Sequence, residues 1–103
     1  MRVLLKASVP VEVGNEAARN GKLAATMQAI LEEQKPEAVY FLPENGNRTV
    51  LVFLDLESPG QIPKIVEPWF LAFNASVELT PVFTPEEIPA VEADIAQAVE
   101  KYG

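Results

Sequence analysis

The chain has 103 residues, 49% of them hydrophobic and 22% charged, with 8 Lys and Arg against 15 Asp and Glu for a net charge of −7. That acidity, with basic residues spread singly from Arg2 to Lys101, argues against nucleic acid or an anionic membrane surface as a partner, because both need clustered cations. Cysteine and histidine are both absent, which removes disulfides, thiolate chemistry, the commonest general base, the usual metal ligand and any histidine-ligated haem.

The length suits a single domain, residues 1–103, with one core. The first residues carry Arg2 and Lys6 before Pro10 instead of an apolar leader. No apolar run approaches the ~20 residues of a membrane span. A cytoplasmic protein without cofactor or metal is expected.

Arg2–Val9 reads as a strand, with Val3, Leu5, Ala7 and Val9 on one side and Leu4, Lys6 and Ser8 on the other. Pro10 and Gly14 mark its end, and Asn15 offers an N-cap with Glu16 in the first turn. Asn20–Gly21 divides a short helical turn from a longer helix over Lys22–Gln34, which Lys35, placed before Pro36, stops. Ala38–Leu42 is a strand, Pro43–Arg48 a turn centred on Asn45–Gly46, and Thr49–Leu56 a nearly all-apolar central strand.

Ser58, Pro59 and Gln61 resemble an N-cap, N1 and N3. The following Ile62–Asn74 holds the only tryptophan, and Ile62, Ile65, Val66, Trp69, Phe70 and Phe73 recur at helical spacing. Pro68 interrupts this helix and predicts a kink or break at Glu67–Pro68. A freed carbonyl beside Glu67 is one place to hold water or ligand; shaping of the helix to the sheet is the alternative. Asn74 is a suitable left-handed stop. Ala75–Phe83 alternates as a strand, and Pro81 confines it to an edge or a bulge. Thr84-Pro85-Glu86-Glu87 caps a final helix lined by Val91, Ile95, Val99 and Tyr102.

The order βαββαβ plus a helix, with right-handed crossovers, predicts an α+β ferredoxin-like antiparallel sheet in order 4-1-3-2, two helices on one face, and a C-terminal helix. Parity assigns the covered face to Val3, Leu5, Ala7, Val9, Val39, Phe41, Val50, Val52, Leu54, Val77 and Leu79. The open face receives Leu4, Lys6, Ser8, Tyr40, Leu42, Leu51, Phe53, Asp55, Glu78, Thr80 and Val82. It is too apolar to be left in water and too polar for a plain core. A homodimer through this face, enclosing a polar-lined space, is therefore expected.

The stretches MRVLLKASVPVEVGN, QKPEAVYF, IPKIVEPWFLAFNA and VELTPVFTPEE resemble a family of small bacterial ferredoxin-like proteins akin to the dimeric α+β barrel superfamily. The resemblance implies back-to-back sheets in a homodimer. The wider superfamily includes cofactor-free monooxygenases, isomerases, haem-dependent members and ligand-sensing domains, so kinship fixes no reaction. Catalytic residues do not carry over, and wherever the superfamily relies on histidine this chain departs from it.

Candidate ligand-binding residues are Lys6, Ser8, Tyr40, Phe53, Asp55 and Glu78. Lys6 and Glu78 on neighbouring strands form either a ligand-binding charged pair or a cross-strand ion pair that sets register. Tyr40 and Asp55 either orient a substrate hydroxyl or serve an interface. Asn15, Glu16 and Arg19 fit a helix cap as well as a site. Trp69 belongs to the core, and Glu32–Glu33 and Glu86–Glu87 point apart and make no metal site. A small-molecule-binding homodimer is the leading reading; a cofactor-free isomerase or monooxygenase and an assembly subunit are the alternatives.

Overall fold

A computed structural model describes residues 1–103. The elements run β1 (Arg2–Val9), α1 (Val11–Arg19), α2 (Leu23–Gln34), β2 (Ala38–Glu44), β3 (Asn47–Asp55), α3 (Ile62–Phe73), β4 (Ser76–Pro81) and α4 (Ile88–Tyr102), with 3-10 turns at Pro59–Gln61 and Pro85–Glu87. All strand pairs are antiparallel and the sheet order is β2-β3-β1-β4. This is the expected order, with β2 and β4 at opposite edges.

The core lies between the sheet and α1–α3. Leu5, Ala7, Val9, Val50 and Val52 are wholly buried on the helix side, and Trp69 and Phe73 of α3 close over them. Trp69 and Phe73 rings sit 6.1 Å apart. The indole Nε1 of Trp69 is buried without a hydrogen-bond partner, a cost outweighed by the large apolar area that the ring removes from water. Gln34 ties α2 to α3, its Nε2 donating to the Ile65 carbonyl at 2.9 Å.

Several boundaries differ from the sequence expectation. The first helix begins at Val11, after Pro10 (φ −55°, ψ 138°), not at Asn15. Starting early lets Val13 and Ala17, four residues apart, reach the core. Asn15 is no cap: its Oδ1 accepts from Arg48 Nη1 at 3.0 Å. Gly14 sits within the helix where the Arg48 side chain crosses, and a Cβ there would lie 2.7 Å from Nη1. Strand β2 continues through Pro43 to Glu44, which an edge strand tolerates. The hairpin is therefore closed by two residues only, Asn45 (φ 52°) and Gly46 (φ 78°), both left-handed as a type I′ turn requires.

Ser58 makes no side-chain cap; instead Gln61 Oε1 accepts the Glu57 amide at 2.7 Å. Helix α3 runs unbroken through Pro68, so the expected break is absent, and Glu67 is an ordinary exposed residue. Phe70 is 41% exposed; at ~100° per residue it lies roughly 80° round from Ile62, at the margin of the buried stripe. Phe41 faces the helix side as expected but is 61% exposed, because β2 is the outermost strand and the helices leave it uncovered. Lys35 (φ 50°) and Asn74 (φ 54°) end their helices in the left-handed region. Thr84 and Glu87 form a reciprocal capping box, Glu87 Oε2 accepting the Thr84 amide at 2.8 Å.

Helix α4 has no buried residue. It stands off the body and stretches the protein to 59 Å with a radius of gyration of 17.2 Å, against about 13 Å for a compact domain of ~100 residues. No helix is long and apolar enough to cross a membrane.

Candidate functional site

The strand registers lay out the open face in rows across β2, β3, β1 and β4. One row reads Ala38, Phe53, Leu4, Thr80; the next Tyr40, Leu51, Lys6, Glu78; the next Leu42, Thr49, Ser8, Ser76. Every open-face assignment made from parity within the strands falls on this face; Val82 lies past the end of β4. Its middle is apolar, and polarity gathers at the hairpin end.

Lys6 is the centre of that polar end. Its Nζ lies 3.0 Å from Glu44 Oε1 and 3.5 Å from Glu78 Oε2. The hydrogen bond from Lys6 to Glu44, with the charges of Glu44 and Glu78, pushes the Lys6 ammonium above the ordinary lysine range. A raised cation keeps its contribution below its unfolded pKa and loses it only as pH rises through the folded value, beyond ~10.4. Lys6 is therefore fully charged at neutral pH.

Around the Lys6–Glu44–Glu78 triad is a recess of about 180 Å³ lined by Lys6, Ser8, Glu44, Asn45, Thr49, Ser76 and Glu78, none of them hydrophobic. Thr49 is buried, its hydroxyl donating to the Asn47 carbonyl at 3.1 Å. The recess thus unites Lys6, Ser8 and Glu78 of the sequence-derived candidates and adds Glu44, Asn45, Thr49 and Ser76. Glu44 was missed because the strand was ended at Leu42; extending the same alternation two residues puts Glu44 beside Tyr40 and Leu42 on the open face.

The remaining candidates sit elsewhere. Tyr40 is 60% exposed and stacks edge-on against Phe53, centroids 6.4 Å apart. Asp55 pairs in register with Arg2, two rows from Tyr40, and accepts from the Met1 amino group at 3.2 Å. No Tyr40–Asp55 pair forms, because the register separates them. Beside Asp55, Arg2 grips Glu37 through two bonds, Nε to Oε2 at 2.7 Å and Nη2 to Oε1 at 3.0 Å. The hydrogen bond from Arg2 and its charge hold the Glu37 carboxyl below its usual range. No group of three Asp or Glu side chains converges as a metal-ligand set.

No protein-family model matches the sequence, and no curated protein matches it either. Solved structures do. The 5-chloro-2-hydroxyhydroquinone dehydrochlorinase TftG from Burkholderia phenoliruptrix AC1100, in complex with 2,5-dihydroxybenzoquinone, aligns over 84% of this chain and 98% of its own, with a TM-score of 0.62 and 17% identity. A formyltetrahydrofolate deformylase from Pseudomonas putida KT2440 aligns over 80% of this chain and 29% of its own, with a TM-score of 0.48 and 18% identity. At that identity the likeness to the dehydrochlorinase is one of fold.

Proposed function

We propose that this protein is a small-molecule-binding homodimer of the dimeric α+β barrel type. Two copies pack through their open sheet faces, and the recess at Lys6 is the ligand site. The observation that carries this reading is the Glu44–Lys6–Glu78 triad with three hydroxyls around it, set at the hairpin end of a face whose middle is apolar. Apolar Leu4, Leu42, Leu51 and Phe53 are only half-buried on one copy, and a second copy covers them. The recess alone holds about six waters at ~30 Å³ each. That is smaller than the ~300–1,000 Å³ of typical ligand pockets, and a partner's face would supply the roof.

The lining also narrows the ligand class. One lysine against two glutamates leaves a fixed charge of −1 (+1 − 2), which disfavours phosphates and dicarboxylates. Ser8, Thr49, Ser76 and Asn45 offer donors and acceptors to hydroxyl or amine groups. A small neutral polyol or an amine fits. The dehydrochlorinase activity is not carried over, since the likeness reaches the fold alone.

The test is thermal-shift screening of small polyols, amino alcohols and amines against the protein and against Lys6→Met. A ligand at 100 times its Kd raises stability by about 2.7 kcal/mol, and the shift disappears in Lys6→Met. If none of these compounds moves the melting of the unaltered protein, the reading fails.

A further inference from the structure

Helix α4 presents Ile88, Val91, Ile95, Val99 and Tyr102 along one side, and all but Val91 are at least half exposed. An apolar stripe of this kind in water needs a cover. The body of the same chain does not provide it: no residue of α4 is buried, and its main contact is with the 3-10 turn before it. A second uncovered apolar feature lies at the far edge of the sheet. There a groove of about 380 Å³ opens between α2 and β2, walled by Leu23, Met27, Phe41 and Val50 with Arg48 at its side.

We infer that α4 is an exchanged arm whose apolar stripe fills the Phe41 groove of a second copy of this chain. The inference rests on the open-face dimer proposed above and says how that dimer is locked. When two sheets of order β2-β3-β1-β4 face each other about a two-fold axis along the strands, β4 of each lies over β2 of its partner. Since α4 leaves from β4, it is delivered to the partner's groove and carried away from its own, which is at the opposite edge. The reach is sufficient: fifteen residues at 1.5 Å span ~22 Å, against ~10 Å between packed sheets. Charge agrees, with Glu92, Asp94 and Glu100 against the single Lys101 on α4 and Arg48 in the groove wall. Each copy thereby covers the other's edge strand, a common need of exposed strand edges.

The absence of cysteine gives a clean test in the full chain. Phe41→Cys combined in turn with Val91→Cys, Ile95→Cys or Val99→Cys forms a covalent dimer under mild oxidation for at least one pairing. Phe41→Cys with Gln97→Cys, on the other side of the helix, does not. In parallel, Ile95→Glu with Val99→Glu weakens the dimer at least tenfold by sedimentation equilibrium and leaves far-UV circular dichroism of the body intact. A dimer that forms no such crosslink and tolerates both glutamates overturns the arm while leaving the open-face dimer standing. A chain that is monomeric throughout overturns both.

Discussion

Helices α3 and α4 are built alike and end in opposite situations. Each follows a 3-10 turn that opens with a proline, Pro59 and Pro85, and each carries a second proline in its first turn, Pro63 and Pro89. Each repeats apolar residues at helical spacing. Yet Trp69 and Phe73 of α3 are sealed from water, and no residue of α4 is buried. The difference lies in how each is tethered. Helix α3 bridges β3 and β4, so both of its ends are fixed to the sheet and its stripe has one place to go. Helix α4 is held at its first residue only. Periodicity records that a face must be covered; connectivity decides what covers it.

The contrast is sharpest at Trp69. Replacing it with Ala removes the largest wholly buried side chain and costs about 3–5 kcal/mol in urea denaturation. A loss below about 1 kcal/mol would mean that α3 does not anchor the core. On the other helix, Thr84→Ala removes a capping box worth about 1 kcal/mol to the local turn. Because no residue of α4 is buried in its own chain, this loss appears as lower helicity by circular dichroism, with the main urea transition unmoved. Ile95→Ala, at dilutions where the protein is monomeric, changes stability by no more than about 0.5 kcal/mol. A larger loss would show that α4 packs on its own body.

The smallest effect is expected where Arg2 meets Glu37. A carboxyl held low by its partner contributes stability above its unfolded pKa of ~4.3, and loses it as pH falls through the folded value. The pair is largely exposed, so the difference in melting temperature between the protein and Glu37→Gln is small at pH 7. It vanishes toward pH 3. A difference that persists or grows in acid would mean that Glu37 acts through something other than Arg2.

Strand parity was the most informative signal in the sequence. It placed Val3, Leu5, Ala7 and Val9 against the helices and Lys6, Ser8 and Glu78 together on the open face, because a period of two admits only two registers and one of them buries charge. It went wrong where a strand end was misjudged. Ending β2 at Leu42 lost Glu44, the carboxylate nearest Lys6. Asn15 was misread for a different reason: its bond to Arg48 joins residues 33 positions apart, and a long-range contact outranks a local capping preference. Phe41 was assigned to the correct face, but its exposure depends on how far α2 reaches over the sheet edge, which alternation does not encode.

The sequence by itself determined the alternation of the strands, the Asn45–Gly46 hairpin, the helix stop before Pro36, the left-handed stop at Asn74, and the Thr84–Glu87 cap. All of these are set by steric and hydrogen-bonding preferences within a few residues. Only the tertiary structure decided that Tyr40 and Asp55 lie two rows apart, that Glu44 completes the charged cluster at Lys6, and that the stripe of α4 faces water. These depend on register and on tethering, properties of the assembled sheet that no short window of the chain contains.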